Sequence, residues 1–419
     1  MRDFLQFLSE ASTAFHAVFF AEERLLRAGF VRLEETEGWV MESAGRYYVK
    51  RHDSSIIAFV LGEKSGYRIA AAHTDSPGLK IKADSERRKA GAIRVSVEVY
   101  GAPILATWLD RPLGIAGRVI AVDGGRLTPH LFRTSAPMAV IPNLSLHLNR
   151  DVNKGFELSA QDHLKAIISS LNERESDGFI RGLLAEQLDV SPDSIRDYDL
   201  YLFEHEPPYV LGADEDLICA GRIDNLGMCH AALSAFLGSD STAYTRVLAL
   251  FDSEEIGSHT LQGAQSSFLR DILHRIVLSK GENQESFYRN IANSYLVSGD
   301  AAHAVHPNFP EKHDDGFAPE INRGPVLKIN AGQRYTTTAE TGAVFSWLCE
   351  QNGIPMQKLI GRSDMPSGST IGPAVSSSLG VKSVDVGNPI WAMHSIRETA
   401  GVNDHRNMVA ALQAFYSYA

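Results

Sequence analysis

The chain has 419 residues, 44% hydrophobic and 22% charged, with a formal net charge of -11. These values are ordinary for a folded protein and, with no lysine–arginine run to reverse the sign, argue against general affinity for nucleic acid. Three scattered cysteines, Cys219, Cys229 and Cys349, follow no disulfide or zinc-ribbon spacing, which suits a reducing cytoplasm.

The first thirty residues, "MRDFLQFLSEASTAFHAVFFAEERLLRAGF", read as amphipathic helix, with Ser12 or Thr13 as a cap and Gly29 as a stop. Asp3 and Glu10 interrupt any secretion signal, and no stretch along the chain approaches the length of a membrane span. "GRYYVKRHDSSIIAFVLG" and "YRIAAAHTDSPGLKIK" read as strands. Residues 84–216 change texture, with short alternating strands punctuated by glycine, a polar loop around "SLHLNRDVNKGFELSAQDHL", then a helix and a strand. From residue 217 strand and helix alternate again. "NLGMCHAALSAFLG" is helical, "RVLALFDS" a buried strand, "TLQGAQSSFLRDILHRIVLSK" helical and "NSYLVSGDAAHAVHP" a strand running into a polar loop. "TGAVFSWLCEQNG" is a helix, "VKSVDVGN" a strand and "NDHRNMVAALQAFYSY" the closing helix. The expectation is an α/β domain made of residues 1–83 and 217–419, with a β-rich insertion over 84–216.

Side chains able to hold a metal collect where strands end, which is where open α/β sheets place their sites. In "AAHTDSPG", His73 and Asp75 are two apart and share one face of an extended strand, so the carboxylate can orient the imidazole. Taken alone, the same residues read as a strand-end turn. Asp224 in "RIDNL" precedes a helix and, alone, reads as its N-cap. Glu254 and Glu255 follow the apolar run Val247–Phe251; they fit either a solvated helix start or a metal ligand beside a proton-handling group. Asp300, His303 and His306 follow the next apolar strand, and His394 sits in apolar company where a histidine is ordinarily a packed core residue.

Their order, His-x-Asp, Asp, Glu-Glu, Asp, His, is that of two-zinc exopeptidases with a phosphorylase-like α/β domain. More narrowly, the chain resembles the M18 aminopeptidase family, which includes aspartyl aminopeptidases, through "HTDSPGLKIK", "TWLDRPLGIAGRV", "RIDNL", "DSEEIGS", "AHAVHPN", "GPVLKIN", "SGSTIGP" and "MHSIRETAG". The resemblance implies an α/β fold: a phosphorylase-like three-layer catalytic domain with a mixed central sheet and an inserted β-rich dimerisation or lid domain. It implies two Zn2+ ions per subunit bridged by Asp224. His73 and Asp300 complete the ligands of one, Glu255 and His394 those of the other, and Mn2+ or Co2+ is admissible in one site. Glu254 becomes the general base and Asp75 the group that orients His73.

The same resemblance implies peptide substrates with a free, acidic N-terminal residue. Lys328 matches the family's substrate-binding lysine, and Tyr335 lies in the same motif. His303 lines the pocket. His147 reaches a neighbouring subunit's site to help stabilise the oxyanion, a direct metal contact being its other reading. The implied assembly is a tetrahedral homododecamer, cytoplasmic, with no nucleic-acid or membrane partner. Two rival functions remain open at this level. One is a related two-metal carboxypeptidase or N-acyl amidohydrolase; the other is a non-catalytic assembly or binding protein, which predicts a missing ligand or base.

Overall fold

The computed structural model describes residues 1–171, 177–241 and 243–418. The chain falls into two compact units, one of Met1–Asp75, Pro208–Met393 and Glu398–Ala419, the other of Ser76–Pro207 with His394–Arg397.

The first unit is built on a mixed nine-stranded sheet. In chain order its strands are β1 (Val31–Arg32), β2 (Arg46–Arg51), β3 (Ser55–Val60), β4 (Lys64–His73), β5 (Tyr244–Phe251), β6 (Tyr295–Gly299), β7 (Val326–Ile329), β8 (Gln357–Ile360) and β9 (Lys382–Gly387). Across the sheet they run β1-β2-β3-β5-β4-β6-β9-β7-β8. The middle four, β5, β4, β6 and β9, are mutually parallel, whereas β3 and β7 meet them antiparallel. These central strands read as unbroken apolar runs because both faces are covered. Ala70, Ala72, Leu248 and Leu250 point to one face, and Ile69, Ala71, Val247, Ala249 and Phe251 to the other.

Helices cover both faces, giving three layers. On the first lie α1 (Arg2–Glu10), α2 (Ala14–Arg27), α3 (Ile223–Leu237), α6 (Ala339–Gln351) and α8 (Val402–Tyr416). On the second lie α4 (Phe268–Ser279), α5 (Gln284–Ala292) and α7 (Ile371–Leu379). The N-terminal segment, expected as one amphipathic helix, is two helices separated at Ala11–Thr13. Thr13 occupies the N-cap position of the second without a side-chain cap hydrogen bond, and Gly29 takes a φ of +80° just past its end. A smaller five-stranded sheet in this unit carries the short strands Ala302–His303, Pro389–Trp391 and Glu398–Gly401.

The second unit is β-rich. Its antiparallel five-stranded sheet orders Arg126–Arg133, Leu113–Asp123, Ile195–Glu204, Gly78–Ile81 and Val97–Tyr100 side by side. A three-stranded sheet and the helix Phe179–Leu188 complete it, around a core that includes Leu79, Ile115, Phe132, Leu184 and Leu202.

Candidate metal centre

Three adjacent parallel strands of the first unit end at one place. His73 is the last residue of β4, Glu254 and Glu255 follow β5 by two residues, and Asp300 immediately follows β6. Strand order puts β4 between β5 and β6, so His73 stands at the centre.

Asp224 arrives from α3. Asp224 and Asn225 carry non-helical backbone angles, and the N-cap position falls at Arg222, so Asp224 is not the cap of this helix. Its Oδ1 lies 3.6 Å from His73 Nε2, and Asp300 Oδ2 lies 3.8 Å from the same nitrogen. Ligand atoms of His73, Asp224 and Glu255 all fall within 4.8 Å of one another.

Glu254 and Glu255 form a 3-10 turn (Glu254–Ile256) entered through Ser253 at φ +68°. Asp75 fixes this turn, its two carboxylate oxygens accepting the backbone N–H of Glu254 and of Glu255, each at 3.1 Å. His73 Nδ1 lies 3.1 Å from the Asp75 carbonyl and 3.3 Å from its Oδ1. That contact leaves Nε2 directed at Asp224 and Asp300, which is the tautomer a metal-ligating histidine needs. One buried carboxylate thus orients both the imidazole and the glutamate pair.

The electrostatics are those of a cation site. Burial opposes protonation of His73, yet the Asp75 hydrogen bond and the charges of Glu254, Asp75 and Asp224 outweigh it and hold its pKa well above the usual value. Burial pushes Glu254 up to about 7, with Asp300, Asp75 and Asp224 adding to the rise and His73 opposing it. Asp300 is likewise raised by burial, against the pull of Lys328.

The donor set fits zinc. Imidazole and carboxylate ligands at about 2.0–2.2 Å from one Zn2+ stand somewhat further apart than hydrogen-bonded atoms do. Separations of 3.6 and 3.8 Å between His73 Nε2 and its two carboxylate neighbours match that spacing.

The remaining candidates are distributed unevenly. Lys328, on β7, is buried at 3% exposure and lies beside Asp300, with its Nζ 5.0 Å from the Tyr335 ring centre. His303 is exposed on its short strand. His394 belongs to the second unit, at φ +69°, with Nδ1 3.0 Å from the Ala102 carbonyl. His147, also in the second unit, is exposed between Leu146 and Leu148, which are 55% and 74% exposed.

Glu398 was not singled out from sequence. It is buried at 1% exposure, and its Oε2 accepts the Asp224 N–H at 2.9 Å. Its only signal was a place inside "MHSIRETAG". Asn225 is similar, its amide donating to the Gly299 carbonyl at 2.8 Å and so tying the start of α3 to the end of β6.

Comparison with known proteins finds a family match over nearly the whole chain. The family described as aminopeptidase I zinc metalloprotease (M18) matches residues 7–416. A probable M18 family aminopeptidase 2 from Ectopseudomonas mendocina is 46% identical over 421 aligned positions, covering 99% of this chain and 97% of the relative. Among solved structures, the cryo-EM structure of the Ape4 and Nbr1 complex superimposes with a TM-score of 0.95 at 34% identity, over 99% of this chain and 85% of the other. The S. cerevisiae mApe1 dodecamer superimposes with a TM-score of 0.86 at 26% identity, over 100% of this chain and 96% of the other.

Proposed function

The chain belongs to the M18 family of zinc metalloproteases and is an aminopeptidase, and from that premise we propose that it uses two divalent ions to release an acidic N-terminal residue from peptides. The observation that carries this reading is the convergence of His73, Asp224 and Glu255, with Asp300 beside them, at the ends of three parallel strands. His73, Asp224 and Asp300 would hold one ion, and Asp224 and Glu255 the other; His394 is a ligand by the family resemblance alone. Bound there, zinc supplies Lewis acidity and a water of lowered pKa.

The rest of the work falls to the chain. Glu254 follows the same turn as Glu255 but acts as general base, taking a proton from water and handing it to the departing amine. Burial raises its pKa above the usual carboxylate value, which favours its taking up a proton. Asp75 holds that turn and the His73 ring at once. The acidic preference rests on likeness to the aspartyl aminopeptidase branch of the family, with His303 and Tyr335 as pocket residues.

Self-association is part of the proposal. Leu144, Leu146 and Leu148 are near neighbours of His147 in the chain and are 47%, 55% and 74% exposed, apolar side chains of the kind that an interface covers. A homo-oligomer would bury it and let His147 reach a neighbour's substrate, and the mApe1 structure is a dodecamer. Among the described residues no helix is long and apolar enough to cross a membrane.

The test is hydrolysis of Asp-, Glu-, Leu- and Lys-p-nitroanilides and of an N-acetylated Asp substrate, before chelation, after it, and after zinc is restored. Zinc-dependent cleavage favouring Asp or Glu, with the blocked substrate inert, is the expected result. Preference for Leu or Lys would remove the acidic pocket, and cleavage of the blocked substrate would favour an amidohydrolase.

A further inference from the structure

We propose that Glu398 is a positioning residue for Asp224, holding that aspartate's backbone so that its carboxylate can serve two metal ions at once. This rests on the reading of Asp224 as the ligand shared by both ions.

Residues 222–225 carry Asp224 and are anchored on either side of it. Arg222, at φ +61°, donates from Nε to the Ala11 carbonyl at 3.2 Å and from Nη2 to the Leu8 carbonyl at 3.3 Å, where α1 ends. The Asn225 amide donates to the Gly299 carbonyl at 2.8 Å, one residue before Asp300. Glu398 holds Asp224 itself, its Oε2 accepting the Asp224 N–H at 2.9 Å. Strand register brings it there. Glu398–Gly401 pairs antiparallel with Leu217–Ala220, and Glu398 stands opposite Ala220, four residues before Asp224.

The first N–H groups of a helix have no partner within it. In α3 the Leu226 N–H already takes the Arg222 carbonyl, so the Asp224 N–H takes its acceptor from another element. A neutral acceptor would satisfy it at less cost than a carboxylate only 1% exposed, because burying charge is expensive. What the charge adds is strength: a charge-assisted hydrogen bond is roughly twice as strong as a neutral one. That strength has a use at this position. A carboxylate shared by two ions must offer one oxygen to each, so a swing of its Cα disturbs both. Fixing the N–H fixes the direction from which the Asp224 side chain reaches His73, 3.6 Å from its Oδ1.

Groups that hold metal ligands in place typically contribute about 10–100-fold in metal affinity. The experiment measures zinc affinity of the purified protein by equilibrium dialysis against graded chelator, with bound zinc counted by emission spectrometry. It is run on the native chain, Glu398→Leu, Glu398→Gln and Asp224→Asn, with melting temperatures recorded alongside. Glu398→Leu should weaken both zinc ions together by about 10–100-fold. Glu398→Gln keeps an acceptor oxygen without the charge, so it should recover part of that loss; it also serves if the Leu variant does not fold. A residue that only completes the end of α3 would lower the melting temperature and leave zinc affinity untouched. Native zinc affinity in Glu398→Leu, or in Glu398→Gln where the Leu variant does not fold, would therefore overturn the proposal, as would weakening confined to one ion. If Asp224→Asn still binds two zinc ions at native affinity, the reading of Asp224 as the shared ligand fails and the inference falls with it.

Discussion

The first unit buries two histidine clusters, and they are opposites. At the strand ends His73 is surrounded by Asp75, Asp224, Glu254 and Asp300, and its pKa is held well above the usual value despite burial. Behind the sheet, α1, α3 and α8 bring together Asp3, His230 and His405. His230 Nε2 lies 2.7 Å from Asp3 Oδ2, His230 Nδ1 lies 2.9 Å from His405 Nε2, and Phe4 stacks on His405 at 3.7 Å. Here burial lowers the pKa of both imidazoles, His405 most, with only the Asp3 contact acting against it.

Burial alone therefore says little about a histidine. Carboxylate number decides: a surplus of buried negative charge calls for a cation, whereas neutral imidazoles pack like other rings and pass one hydrogen bond along. In the second cluster His405 Nε2–H can donate to His230 Nδ1 while His230 Nε2–H donates to Asp3, with both rings neutral.

The largest effect expected is at the first cluster. Glu254→Gln should retain zinc and lose about 10²–10⁴-fold in kcat, read from steady-state kinetics beside metal analysis. An active variant would strip Glu254 of the base role. Removing metal should come next: a ligand present at 1,000 times its dissociation constant stabilises by about 4 kcal/mol. Calorimetry should accordingly show the melting temperature falling on chelation and recovering with zinc. If chelation leaves it unmoved, the carboxylate surplus is held by protein contacts alone.

Gly387→Ala should cost about 1–3 kcal/mol through overpacking against Asp300 and should weaken zinc, since the clash lies on the backbone of a proposed ligand. Stability lost without any change in zinc affinity would separate that backbone from the site. The smallest effect belongs to the second cluster. His405→Phe keeps the stack on Phe4 but removes one hydrogen bond, costing about 1 kcal/mol at pH 7.5 with activity unchanged.

The pH dependence distinguishes the clusters as well. His230 and His405 have folded pKa values lowered from the unfolded one, so the unfolded chain binds more protons below about pH 6.5. The stability they confer is complete above that pH and is lost as pH falls toward their folded values. His405→Phe should flatten the fall in melting temperature between pH 7 and 5. An equally steep fall in the variant would place the acid sensitivity elsewhere.

Much of the candidate site was legible because its side chains sit at strand ends, and strand ends are visible as apolar runs that stop at polar residues. His73 after "YRIAAA", Glu254 and Glu255 after "RVLALF", and Asp300 after "YLVSG" all followed that rule. Asp224 was ambiguous because an aspartate before a helix is usually its cap, and only the backbone shows the side chain turned to His73. Helix Gln284–Ala292 was not read from sequence. Its polar face dominates, and only Phe287, Asn290 and Ile291 are buried.

The sequence by itself determined the α/β class, the strand–helix alternation on either side of a β-rich stretch, and the identity of the residues that end each strand. Those are local properties, set by side-chain periodicity and by where apolar runs stop. Tertiary structure alone decided that β4 lies between β5 and β6, which makes His73 central, and that Asp75 serves two elements at once. It also decided that Lys328 faces Asp300. These facts depend on the lateral order of strands far apart in the chain, which no spacing within one segment encodes.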